Sequence, residues 1–111
     1  MSLAPQETRT FFISTATWER RSLLQSTALC DLLLNVLREN RSKQRFELHE
    51  FVIMRDHVHL ILTPSSLVAL EKAIQFIKGG YSHALGTEIG RRTEIWQRGF
   101  TDHRIRVVRE R

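Results

Sequence analysis

His57 and His59 stand two residues apart in the run Arg55-Asp56-His57-Val58-His59-Leu60-Ile61-Leu62-Thr63-Pro64. On an extended strand such a pair shares one face while Val58 points to the other, so both imidazoles project together. Two neutral imidazoles on a rigid element supply half of a divalent-metal site. With one further oxygen or nitrogen ligand, positions would stay open for a phosphate and water, and the ion would act as a Lewis acid on a phosphoryl oxygen. Mg²⁺ or Mn²⁺ suits such phosphodiester chemistry. The plain alternative is a pair of hydrogen-bonded surface histidines. Asp56, just ahead of the pair, either orients an imidazole from behind or serves as the turn residue of a hairpin.

Charge adds a second clue. The 111 residues carry a net +5, but Arg91 to Arg111 holds seven Arg against Glu94, Asp102 and Glu110, leaving residues 1–90 close to neutral. A neutral body with a basic C-terminal segment suits a phosphate-backbone binder, or is a solvated face. Within that segment, Arg98, Arg104 and Arg106 are candidate phosphate contacts. Trp96 and Phe100 are either stacking platforms for an unpaired base or a seal on the sheet edge. Lys78, beside Gly79-Gly80, either approaches a phosphate or belongs to permissive helix geometry. His49 and His83 have no evident partner, whereas His103 lies in the basic segment. The single cysteine, Cys30, sits in an apolar run, which excludes a disulfide framework and a thiolate metal cage and fits a reducing cytoplasm. No stretch approaches the ~18 apolar residues of a membrane span.

These residues need elements to position them. Thr8 to Trp18 is rich in β-branched and aromatic residues and predicts a strand. Ser26 or Thr27 then caps a helix to about Asn40, with Leu29, Leu32, Leu33, Val36 and Leu37 on one face. Phe46 to Met54 and His57 to Pro64 predict two strands of a hairpin, the second closed by Pro64. A second helix is expected from Ser66, bent at Gly79-Gly80 and ending between Gly86 and Gly90. A fourth strand follows across Ile95–Phe100 and Asp102–Val108. The order βαββαβ predicts an α+β, ferredoxin-like domain over residues 8–108, with a four-stranded antiparallel sheet, two helices on one face, a short arm at 1–7 and a tail at 109–111.

Three segments in this order carry a family resemblance. Phe51-Val52-Ile53-Met54-Arg55-Asp56-His57-Val58-His59-Leu60-Ile61-Leu62, Ile77-Lys78-Gly79-Gly80-Tyr81-Ser82 and Ile95-Trp96-Gln97-Arg98-Gly99-Phe100-Thr101-Asp102-His103-Arg104-Ile105-Arg106 resemble motifs of the small HUH-type tyrosine transposases, those of insertion sequences and the REP-associated branch. The resemblance covers about residues 8 to 106. It implies that His57 and His59 bind Mg²⁺ or Mn²⁺, that the partner is single-stranded or hairpin DNA, and that a tyrosine attacks the metal-bound phosphate to form a phosphotyrosine link. In the family that tyrosine, and usually the third metal ligand, comes from a helix after the last strand.

The only tyrosine here is Tyr81, within the second-helix motif. The expectation is therefore a transposase core cut short before its nucleophile, or a cleavage-inactive relic that binds a DNA hairpin. A monomer, as in the REP-associated branch, and a homodimer, as in insertion-sequence enzymes, both stay open. A ferredoxin-like RNA binder should carry aromatic pairs on its two central strands, where His57 and His59 stand instead. No histidine is followed two positions on by Thr or Ser, which excludes phosphoesterases built on paired His-x-Thr/Ser motifs. Ile61 occupies the place where a histidine-triad hydrolase needs its third histidine.

Overall fold

A computed structural model describes residues 9–89 and 94–105. Strand β1 (Thr10–Ala16) leads through one 3-10 turn (Trp18–Arg20) to helix α1 (Thr27–Ser42), followed by β2 (Phe46–Ile53), β3 (His57–Pro64), α2 (Leu70–Ile89) and β4 (Thr101–Ile105). All pairings are antiparallel and the sheet order is β2-β3-β1-β4, so the predicted ferredoxin-like α+β architecture is what forms. The two central strands are β3 and β1.

Alternation on β3 decides which face carries what. Val58, Leu60 and Leu62 are essentially buried, and they meet Ile13 from β1 and Leu33, Leu37, Ala73, Ile74, Ile77, Tyr81 and Leu85 from the helices. His57, His59 and Ile61 point to the opposite, helix-free face. The β2–β3 hairpin closes tightly over Arg55-Asp56, with Met54 N–H donating to the His57 carbonyl at 2.8 Å. Farther along, the β2–β3 register slips by one residue between Leu48 and Glu50, a bulge centred on His49. His49 Nε2 lies 2.7 Å from Thr63 Oγ1, which gives it the partner the sequence did not reveal.

The first helix starts as its cap dictates: Ser26 Oγ accepts from Leu29 N–H at 3.1 Å. The second differs from expectation. It begins at Leu70 rather than Ser66 and runs without a break through Gly79-Gly80, while its end at Ile89 falls between Gly86 and Gly90 as expected. Gly80 is there for proximity: a Cβ built on it would stand 2.9 Å from Val36 Cγ1, so the glycine lets α2 approach α1 closely. Residues 95–100 are also not a strand, apart from a single bridge between Trp96 and Thr17. The predicted loop at 91–93 and the strand extension at 106–108 lie outside the described residues.

Candidate metal and phosphate site

The two histidines lie side by side on the open face of a central strand. Their ring centroids are 4.8 Å apart with the planes at 78°, and Phe12 of β1 stacks on His59 at 5.4 Å. Neither ring enters the apolar core. His57 Nδ1 pairs with Asp56 Oδ1 at 2.7 Å, and with the Nδ1 proton on that bond the Nε2 lone pair is left to face outward. His59 Nδ1 is buried with no hydrogen-bond partner. Burial first, and the neighbouring His57 second, lower its pKa, which keeps the ring neutral with a lone pair to give. An orphaned buried nitrogen costs roughly 1–3 kcal/mol, and a ligand would relieve that cost. The pair thus fits half of a divalent-ion shell. No group of three His, Cys, Asp or Glu that could hold a metal occurs among the described residues.

Asp56 holds two side chains at once, the His57 imidazole and the Arg20 guanidinium. Its hydrogen bond to His57, followed by the charge of Arg20, holds its carboxyl below the usual range against the opposing effect of burial. Its second oxygen, Oδ2, lies 3.3 Å from Arg20 Nε. Arg20 reaches that position from an unusual backbone: both Glu19 (φ 52°) and Arg20 (φ 55°) are left-handed, although neither is glycine. Such conformations cost on the order of 1–3 kcal/mol each and persist only where the surroundings enforce them. Here they do. Thr17 N–H donates to the Asp56 carbonyl (2.9 Å), Leu24 N–H to that of Arg55 (2.9 Å), and Trp18 N–H to that of Ile95 (2.8 Å). The buried Thr17 hydroxyl lies 2.6 Å from the Arg21 carbonyl oxygen and 3.1 Å from that of Asp56. In sequence, Glu19-Arg20-Arg21 marks only the end of a strand; no local signal announces the left-handed pair.

The family model described as "Transposase IS200 like" matches residues 10–108. The chain belongs to that family. Among solved structures, it is similar to a REP-associated tyrosine transposase bound to a REP hairpin, with 26% identity and a TM-score of 0.73 over 97% of this chain. The chain spans 64% of that protein's length. A Deinococcus radiodurans R1 protein described as a transposase shares the fold at a TM-score of 0.77, with 17% identity over 96% of this chain and 86% of that one. No match is found among curated protein sequences.

The other predicted site residues of this IS200-like domain divide by location. Tyr81 is wholly buried on α2, in the layer opposite the histidines; its hydroxyl donates to the Leu23 carbonyl at 2.6 Å and its ring packs edge-on against Trp96. Burial, reinforced by Cys30, pushes its pKa up to about 12, so the phenolate an attack requires is suppressed. Trp96 is only 7% exposed and its indole N–H donates to the Lys78 carbonyl at 3.0 Å. Of the two roles open to Trp96, sealing the core is the one it fills, since a buried indole presents no face to a base. Lys78 is likewise engaged from within: its ammonium donates to the Gln97 and Gly99 carbonyls at 2.7 and 2.9 Å and pins the segment leading into β4, with its pKa lowered by burial.

Arg98 is exposed on that pinned segment, at the edge of an open groove of 590 Å³ that Lys78, Ser82 and Trp96 also line. Arg104 is exposed on β4, in register with Phe11. Arg106 lies outside the described residues. His103 pairs with Phe12, on the same sheet face as His59. It is two strands from β3, about 10 Å at the usual strand spacing, too far to complete the ion's shell with His57 and His59.

Proposed function

We propose that this chain is the DNA-binding and metal-binding body of a HUH-type tyrosine transposase acting on single-stranded or hairpin DNA. The observation that carries this reading is the His57–His59 pair on the open sheet face, with Asp56 fixing the tautomer of one ring and the other holding an unpartnered nitrogen. The similar REP-associated transposase bound to a REP hairpin supports the choice of DNA. Mg²⁺ or Mn²⁺, held by His57 and His59, would supply Lewis-acid polarisation of a phosphoryl oxygen.

The protein's own residues do the remaining work. Asp56 keeps the His57 proton on Nδ1 and so keeps Nε2 available as a ligand. The neutral state of His59 preserves its lone pair. Phe12, stacked on His59, restricts how that ring can turn. Arg98, Arg104 and Arg106 bind phosphates electrostatically, while Lys78 and Trp96 act indirectly by fixing the segment that carries Arg98.

A second reading, hairpin binding without strand cleavage through Tyr81, is favoured by the burial and hydrogen bonding of that phenol. Any phosphotyrosine link formed in this family's manner uses a tyrosine other than Tyr81. The test is to incubate the 111-residue protein with Mn²⁺ and a labelled hairpin oligonucleotide, measuring both binding and denaturation-resistant adducts. Salt-sensitive binding is expected, with no adduct at Tyr81. Absence of hairpin binding at low salt would refute the DNA reading, and an adduct abolished by Tyr81→Phe would make Tyr81 the nucleophile.

A further inference from the structure

Arg20 is a strongly exposed cation joined to the histidine pair through a single carboxylate. Asp56 Oδ1 bonds His57 and Oδ2 bonds Arg20 Nε, so the guanidinium and the His57 imidazole share one carboxylate. The Arg20 side chain is 62% exposed even with that contact made. An Arg held through Nε still presents its outer nitrogens, the part of the fork that matches two oxygens of a phosphate. A simple surface ion pair would not require two consecutive left-handed non-glycine residues, nor a turn tied by backbone hydrogen bonds to the 54–57 hairpin. Strained backbone enforced by its surroundings is concentrated where a side chain must be aimed.

We propose that Arg20 is a phosphate clamp: held on Asp56, its guanidinium grips a phosphodiester of single-stranded DNA lying over His57. The proposal rests on the DNA reading above and adds a residue that neither the charge distribution nor the motifs single out. Arg21, its neighbour, is paired instead with Glu19 at 3.1 Å and serves as a control of equal charge.

The experiment measures affinity for a hairpin oligonucleotide with a single-stranded extension, by fluorescence anisotropy across a salt series, without metal. The variants are Arg20→Gln, Arg20→Lys and Arg21→Gln, each checked for folding by circular dichroism. Gln can still donate a hydrogen bond toward Asp56, so the turn is retained when the charge is removed; if it is not folded, Arg20→Lys carries the test alone. Expected for Arg20→Gln is about a tenfold or greater loss of affinity at low salt, with the slope of log K against log salt shallower by about 0.7, the loss of one single-strand phosphate contact. Arg20→Lys should recover the slope but not the full affinity, since a lysine offers a point charge in place of the fork. Unchanged affinity and slope in Arg20→Gln, or an equal effect in Arg21→Gln, would overturn the clamp. In the Lys-only case, full natural affinity would do so. If the natural chain itself fails to bind, the DNA reading falls, and the clamp falls with it.

Discussion

Replacing Tyr81 with Phe should weaken the fold at neutral pH and yet make it the more stable chain in strong alkali. At neutral pH the variant loses the 2.6 Å hydrogen bond to Leu23, worth about 1 kcal/mol net, and leaves that carbonyl without its partner. At high pH the sign reverses. The phenol titrates near its ordinary value of 10.0 in the unfolded chain but is pushed up to about 12 in the folded one. A folded pKa raised above the unfolded value means that the stabilisation is whole below pH 10 and is lost as pH climbs toward 12. Two pKa units correspond to a loss of about 2.7 kcal/mol, of which roughly half has gone by about pH 11. A phenylalanine in that place has nothing to ionise, so the two stability curves should cross near about pH 11. Urea unfolding of both proteins from about pH 7 upward measures this, and because all other groups titrate alike in the two chains, only the difference matters. Parallel curves with no crossing would show that folding does not raise the Tyr81 pKa, leaving only its burial in the layer opposite the histidines to argue against it as a nucleophile.

Two further outcomes follow from particular contacts. Gly80→Ala forces its new methyl against Val36 and should cost about 1–3 kcal/mol, whereas Gly79→Ala, with open space at its Cβ, should stabilise the helix by up to about 1 kcal/mol; thermal unfolding separates them. Changing Arg98, Arg104 and Arg106 together to Ala should flatten the salt dependence of hairpin binding by about 2–3 in log–log slope, and an unchanged slope would mean that these arginines are only solvated.

Much of this molecule is legible in sequence because the informative signals are local. The alternation of Val58, Leu60 and Leu62 with His57, His59 and Ile61 places the histidines off the core, and Ser26 marks the start of α1 through its capping hydroxyl. Gly79-Gly80 misleads because helix propensity is local, whereas the reason for Gly80 is Val36, a neighbour on another helix. Trp96 leaves two roles open in sequence because aromatic residues among arginines suit both a base platform and a core seal; burial against Tyr81 separates them. Arg20 is illegible for a different reason. Left-handed backbone at a charged residue leaves no compositional trace and depends on hydrogen bonds to a hairpin far downstream, such as that from Thr17 to Asp56.

The slip at His49 concerns how this chain can change length. On β2, Phe46 and Leu48 pair with Pro64 and Leu62, while Phe51 and Ile53 pair with Leu60 and Val58. These four apolar residues therefore belong to the helix side of the sheet, yet three positions rather than two separate Leu48 from Phe51. His49 is the supernumerary residue that reconciles the count. Without it, Phe-Glu-Leu-Glu-Phe-Val-Ile would keep one alternating register, so the strand can shed one residue here and leave Phe46, Leu48, Phe51 and Ile53 on the helix side, with Val52 beside His59 on the open face. A deletion anywhere else between Phe46 and Ile53 would have to migrate to this position to be absorbed, which makes the bulge the strand's natural point of tolerance for gain or loss of a codon.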